Sequence, residues 1–167
     1  MRHTIRVLLT SLVVTAIAAP ATHLLDAQLP SRHGQPKAAF GTADFAKLRW
    51  LEGDWAGTAP DERPVYARYT FTNDSTIDIT YYRDESFSQP ASTGRLYLSV
   101  GHVYQTYGPN RWGASRVGED GLYFVPQASI RSYLEWRRVS PDAWTATQRS
   151  GVGGHEAVTV YQFRRVK

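Results

Sequence analysis

Leu48-Arg49-Trp50-Leu51-Glu52-Gly53-Asp54-Trp55-Ala56-Gly57 is the stretch on which the reading of this chain turns. Up to Leu51 the apolar residues keep helical spacing: Phe45, Leu48 and Leu51 form the stripe of a helix laid on a core. From Asp54 onward the period is two, the signature of strands with one buried face. Gly53-x-Trp55-x-Gly57 stands at the change of period and marks where the folded domain passes from helix to sheet. It specifies an architecture, not a function.

Downstream, the alternation continues almost to the C-terminus. Val65, Ala67, Tyr69 and Phe71 alternate with Tyr66, Arg68 and Thr70, and Ile77, Ile79 and Tyr81 alternate with Asp78, Thr80 and Tyr82. Thr72-Asn73-Asp74-Ser75 between them is a tight-turn signal. Leu96, Leu98 and Val100 carry the next strand, followed by Val103 to Tyr107, Trp112 to Val117 and Leu122 to Val125. Tyr133 to Val139 and Trp144 to Arg149 flank the turn Ser140-Pro141-Asp142, and a last long strand covers His155 to Val166. The expected fold is all-β: an antiparallel up-and-down β-barrel of about 8–10 strands with a short N-terminal helix, because a meander of hairpins removes its edges by closing. The helix is expected over Ala43 to Leu51, capped by Thr42, with Asp44 in the first turn.

Upstream, Arg2 and Arg6 precede an apolar run from Val7 to Ala19, and Ala19-Pro20-Ala21 supplies small residues for cleavage. Residues 1–27 read as a secretory signal peptide cut after Ala21 or Ala27. The run is too short to cross about 30 Å of hydrocarbon, so no stable membrane span is expected after cleavage. Residues 28–41, rich in Pro and Gly, read as a flexible linker, and residues 42–167 as the barrel domain. The chain is expected to be secreted or periplasmic. It has no Cys, so neither disulfides nor thiolate zinc sites contribute to stability. The formal charge of +4 falls to +2 without Arg2 and Arg6, or to +3 if Asp26 is also removed. The basic pairs Arg137-Arg138 and Arg164-Arg165 lie in strands, where neighbours point to opposite faces, so no nucleic-acid patch is expected.

A short helix, a strand opened by Gly53-x-Trp55 and an antiparallel meander ending in an Arg-bearing strand together resemble the calycins: lipocalins, fatty-acid-binding proteins and haem-binding nitrobindins. Trp50-Leu51-Glu52-Gly53-Asp54-Trp55 also looks like the opening of bacterial exported domains of this type. The resemblance implies that Trp55 packs under the barrel floor against a cation from the last strand, supplied by Arg164 or Arg165. Gly53, Trp55, Arg164 and Arg165 are therefore structural candidates. It also implies a small apolar or amphipathic ligand. By similarity to nitrobindins, His155 at the start of the last strand is a candidate haem ligand, although no cofactor is called for by the residues themselves.

No catalytic motif stands out. There is no Gly-x-Ser-x-Gly, no His-x-His and no His-Glu-x-x-His. Most carboxylates fall in turns. Small barrels hold apolar ligands with a few polar groups that fix orientation. Tyr66, Arg68, Tyr82, Glu135, His155 and Tyr161 are the ligand-binding candidates; strand parity alone leaves open which faces point inward. The expected function is an exported small-molecule-binding barrel without catalysis. The alternatives are an enzyme with a Tyr/Glu/Arg lumen cluster, haem binding through His155, and a structural barrel filled by side chains.

Overall fold

The computed structural model describes residues 39–126, 131–152 and 155–167; the side chains of 126, 131, 152, 155 and 156 lie outside that description. The expected signal peptide, residues 1–27, and most of the 28–41 linker are likewise outside the described residues. The chain divides into Met1–Arg32 and His33–Lys167, and every described residue belongs to the second unit.

Helix α1 (Thr42–Ala46) runs directly into a 3₁₀ turn (Lys47–Leu51). Thr42 lies inside the helix, and Gly41 is the cap. Gly41 has no side chain to cap with; instead the Asp44 carboxylate reaches back to accept the Gly41 N–H at 3.0 Å and a Lys47 Nζ proton at 2.8 Å. The expected single helix is thus split, and the tighter second half aims Trp50 as well as Leu48 and Leu51 into the core.

Ten strands follow: β1 (Gly53–Thr58), β2 (Pro64–Asn73), β3 (Thr76–Tyr82), β4 (Pro90–Ser99), β5 (His102–Tyr107), β6 (Asn110–Gly118), β7 (Gly121–Pro126), β8 (Arg131–Ser140), β9 (Ala143–Val152) and β10 (His155–Arg165). Each pairs antiparallel with its successor, and β1 pairs with β10 to close the barrel. This is a closed, all-β up-and-down barrel with a short helix.

Trp55 is fully buried and lies opposite Ala67 across β1–β2, so Val65, Ala67, Tyr69 and Phe71 face the interior with it. The two-residue Asp74–Ser75 turn pairs Asn73 with Thr76, which on its own would put Phe71 across from Asp78. A bulge at Thr72 shifts the register so that Phe71 meets Ile77 and both apolar sets point inward. Val139 does the same in β8–β9, where Trp136 is brought opposite Ala146 and the bulged valine is left exposed.

One end of the barrel is closed by the helical segment. Phe45, Leu48 and Leu51 have no solvent exposure, and Phe45 meets Phe71 edge-on. Beneath the helix, Trp144 stacks flat on Phe163 (4.1 Å between centroids) and meets Trp50 and Trp55 edge-on, each at 6.1 Å. Trp55 donates its indole N–H to the Leu51 carbonyl at 2.7 Å. Arg165 lies over the outer side of the Trp55 ring at 4.3 Å. Its guanidinium also donates to the Glu52 carbonyl at 2.6 Å and the Trp50 carbonyl at 2.9 Å, and sits 3.3 Å from the Asp142 carboxylate. Gly53 adopts φ +113, which favours glycine, and a Cβ there would stand 2.8 Å from Arg165 Nη1, so a side chain would also displace the guanidinium from its carbonyls. Arg164 points the other way and is exposed.

Candidate functional site

Above this floor the interior does not fill. A cavity of about 450 Å³ rises from Tyr69, Trp136, Trp144 and Phe163 toward Tyr107, Asn110 and Gln148 at the end away from the helix. Its existence follows from strand number. Eight strands enclose just enough room for side chains to meet; ten enclose more, and Gly94, Ala114 and Ala146 on inward positions add little volume.

The walls are aromatic faces tipped with hydroxyls. Tyr81 sits edge-on to Tyr107 at 5.2 Å, and Ser92 Oγ donates to the Tyr107 hydroxyl at 3.4 Å. Tyr69 is wholly buried, and its hydroxyl is hydrogen-bonded to that of Tyr81. Burial first, and then the adjoining Tyr81 hydroxyl, holds the Tyr69 phenol well above the usual tyrosine range. Tyr81 is raised as well, chiefly by burial, then by the neighbouring Tyr107 hydroxyl, with the bond from Tyr69 opposing and Tyr161 adding to the rise. Both phenols are therefore neutral donors and acceptors at any ordinary pH rather than acid–base groups.

Two polar atoms on this lining are buried without a partner among the described residues: Gln105 Oε1 and Trp144 Nε1. Gln105 is only 4% exposed, and its amide nitrogen makes one long bond to the Thr106 carbonyl at 3.4 Å. Burying an amide oxygen unpaired costs on the order of 1–3 kcal/mol.

The sequence-derived candidates divide between this lumen and the outer surface. Tyr161 lines the cavity. Tyr66, Arg68 and Tyr82 come together, but outside the barrel, on the opposite face of β2 and β3 from Tyr69 and Tyr81. There Arg68 forms a two-pronged pair with Asp54 (2.6 and 2.8 Å). Phe87 folds back onto them from the 83–89 loop, edge-on to Tyr66 at 6.0 Å and Tyr82 at 5.2 Å, with the Arg68 guanidinium 5.5 Å from its ring. Asp84 holds that loop by accepting bonds from the Ser86 hydroxyl and the Ser88 and Gln89 backbone. These bonds, the Ser86 hydroxyl first, hold its carboxyl at about 2. Glu135 is also on the outer face, 3.8 Å from Arg116. His155 opens β10 opposite Val152, and its side chain is outside the described residues. His102 is on the outer face of β5, 6.0 Å from the Tyr104 ring. Among the described residues no group of three or more His, Asp and Glu could hold a metal ion, and no helix is long and apolar enough to cross a membrane.

Sequence reasoning did not single out Tyr69, Tyr81, Gln105, Tyr107, Trp144 or Gln148 as lining residues. The signal was present. Trp55, as a buried plug, fixes the inward face of β1, and pairing then propagates that face through each hairpin to its neighbour.

No family model matches the chain, and no curated protein sequence does either. Among solved structures, it is similar to a redesigned β barrel, b11L5F_LGL (12% identity, TM-score 0.36, covering 72% of this chain and 96% of that one). It is also similar to EF1p2_mFAP2b bound to DFHBI (12% identity, TM-score 0.36, covering 73% of this chain and 98% of that one). Neither likeness is close enough to carry a function across.

Proposed function

We propose that this chain is an exported barrel that binds a small apolar or amphipathic molecule in its lumen and carries out no chemistry on it. The observation that carries the reading is the cavity of about 450 Å³, aromatic on its walls and with buried, unpartnered polar atoms. That volume lies within the range of small-molecule sites, roughly 300–1,000 Å³. Burial of the ligand's apolar surface supplies the affinity, at about 25 cal/mol per Å², and the amides and hydroxyls orient it. Export rests on the basic start, apolar run and Ala-x-Ala site of residues 1–27. The absence of catalysis rests on the tyrosines, which burial holds neutral, and on the outward position of Glu135 and Arg68.

Native mass spectrometry of protein purified from its own envelope fraction tests this. Retention of a small organic mass is expected, along with an N-terminus at Thr22 or Gln28. A protein that starts at Met1 removes the export claim. A retained haem mass would transfer the reading to His155. Wild-type protein that neither retains nor takes up any small molecule leaves a structural barrel whose lumen has no ligand.

A further inference from the structure

We infer that the lumen selects uncharged, planar aromatic molecules bearing a hydroxyl or N–H, with Gln105 Oε1 as the acceptor that orients them. The inference rests on the ligand-binding reading above and narrows its ligand class.

Three observations converge. Eight of the fourteen residues lining the cavity are Trp, Tyr or Phe, so most of the wall is ring face and edge. Rings gain from offset or edge-on contact with such walls beyond the area they bury; a flexible alkyl chain gains only the area and loses rotamer freedom. Second, among the described lining residues the polar groups are Gln105, Asn110, Gln148, tyrosine hydroxyls and tryptophan N–H groups, that of Trp144 unpartnered, with no Arg, Lys, His, Asp or Glu. A carboxylate or ammonium taken into these walls would give up its hydration with no counter-charge to meet it, a cost far above that of a neutral polar group. Third, Gln105 already commits its amide nitrogen to the Thr106 carbonyl, while its oxygen, on a side chain 4% exposed, has no donor among the described residues. Its strand position opposite Trp112 places it against an aromatic wall residue. A ring hydroxyl or N–H brought to that oxygen satisfies it, and the ring lies against Trp112 and Trp136. A purely apolar ring leaves it unpaired.

Four probes near pH 7 separate these contributions: 2-naphthol (neutral, aromatic, a donor), naphthalene (no donor), 2-naphthoate (charged) and decan-1-ol (neutral, a donor, not aromatic). Each is titrated into the full-length folded protein, read by tryptophan fluorescence quenching and by calorimetry. We expect 2-naphthol to bind about tenfold or more tighter than each of the others. Gln105→Leu should weaken 2-naphthol about tenfold and leave naphthalene within about twofold; Gln105→Met, closer in length, should do the same. Thermal melts of both variants check that the barrel is intact, and removing a buried unpaired amide should leave them at least as stable as wild type. Tight binding of 2-naphthoate or decan-1-ol, or unchanged 2-naphthol binding in both variants, overturns the selection proposed here while leaving a ligand-binding lumen. No binding by any of the four overturns both.

Discussion

The two ends of the barrel interior are built from the same kinds of side chain and do opposite things. At the helix end, Trp55, Trp144 and Phe163 interlock at centroid distances of 4.1–6.1 Å and Arg165 clamps the backbone around them. At the far end, Tyr81, Tyr107 and Tyr161 stand around open space, with Tyr81 and Tyr107 meeting edge-on at 5.2 Å. An aromatic ring becomes core when a helix and a Gly-permitted close approach bring a second layer onto it. It becomes a binding wall when strand number holds the opposite wall away. Stability and recognition are thereby assigned to different layers of one lumen.

The largest test of that division is Trp55→Ala. It removes a fully buried ring and the bond to the Leu51 carbonyl, and should cost about 3–5 kcal/mol in urea unfolding. A melting temperature within a few degrees of wild type would show that the floor is not where stability resides. Next is Arg165→Ala, expected to cost about 2–3 kcal/mol, since it leaves two carbonyls unmet and uncovers the Trp55 ring. Its neighbour Arg164→Ala should shift stability by no more than about 0.5 kcal/mol, as an exposed side chain would. If the two arginines behave alike, the clamp is not a clamp.

On the cavity lining the expected effects are on pH response and ligand, not on the neutral-pH melt. Tyr69 and Tyr81 are raised in the folded state, so they stay protonated where the unfolded chain ionises, near the ordinary tyrosine value of about 10. Above that pH the unfolded state binds fewer protons than the native one, and stability falls as pH rises; below it the contribution is fully present. Alkaline unfolding followed by circular dichroism should be steep from about pH 10 upward, and shallower in Tyr81→Phe. A small gain is expected back at the helix end, in the turn whose Gly101 carbonyl accepts the Phe40 N–H. Val100 sits at φ 47 with 92% of its surface exposed, a β-branched residue in a backbone region that suits Asn or Gly. Val100→Asn should stabilise by about 0.5–1 kcal/mol with no change in probe binding.

The two layers also differ in how far they can be read from the sequence. The helix-to-strand switch at Gly53, the strand run and the turns at Asp74–Ser75 and Pro141–Asp142 are written in local periodicity and turn chemistry, and these are short-range. The lumen face is not local. Tyr66 and Tyr69 have similar chemistry, and only the register from Trp55 through Ala67 separates an outward tyrosine from an inward one. Polar outer strands carrying Tyr66, Arg68 and Tyr82 therefore read as site residues when parity is unanchored. Helix capping departs from expectation for a comparable reason: Thr42 has cap chemistry, but Asp44 reaches back to the Gly41 N–H and moves the start one residue earlier. Gln105 leaves no trace in the sequence because its significance lies in a bond it lacks.

The way the ring of strands shuts has a consequence for time rather than for energy. Nine of the ten strand pairings join successive strands, and only β1 with β10 joins the two ends of the domain. Successive hairpins assemble locally in microseconds, whereas the first and last strands meet only after the loop-closure entropy of the whole meander has been overcome. Trp55 and Arg165 lie paired on that seam. If the seam zips last, after the rate-limiting step, weakening it shortens the lifetime of the native barrel and leaves its rate of formation nearly untouched. A chevron for Arg165→Ala should show a raised unfolding limb over an unshifted folding limb; a lowered folding limb would mean that the ends meet early and the hairpins condense onto them.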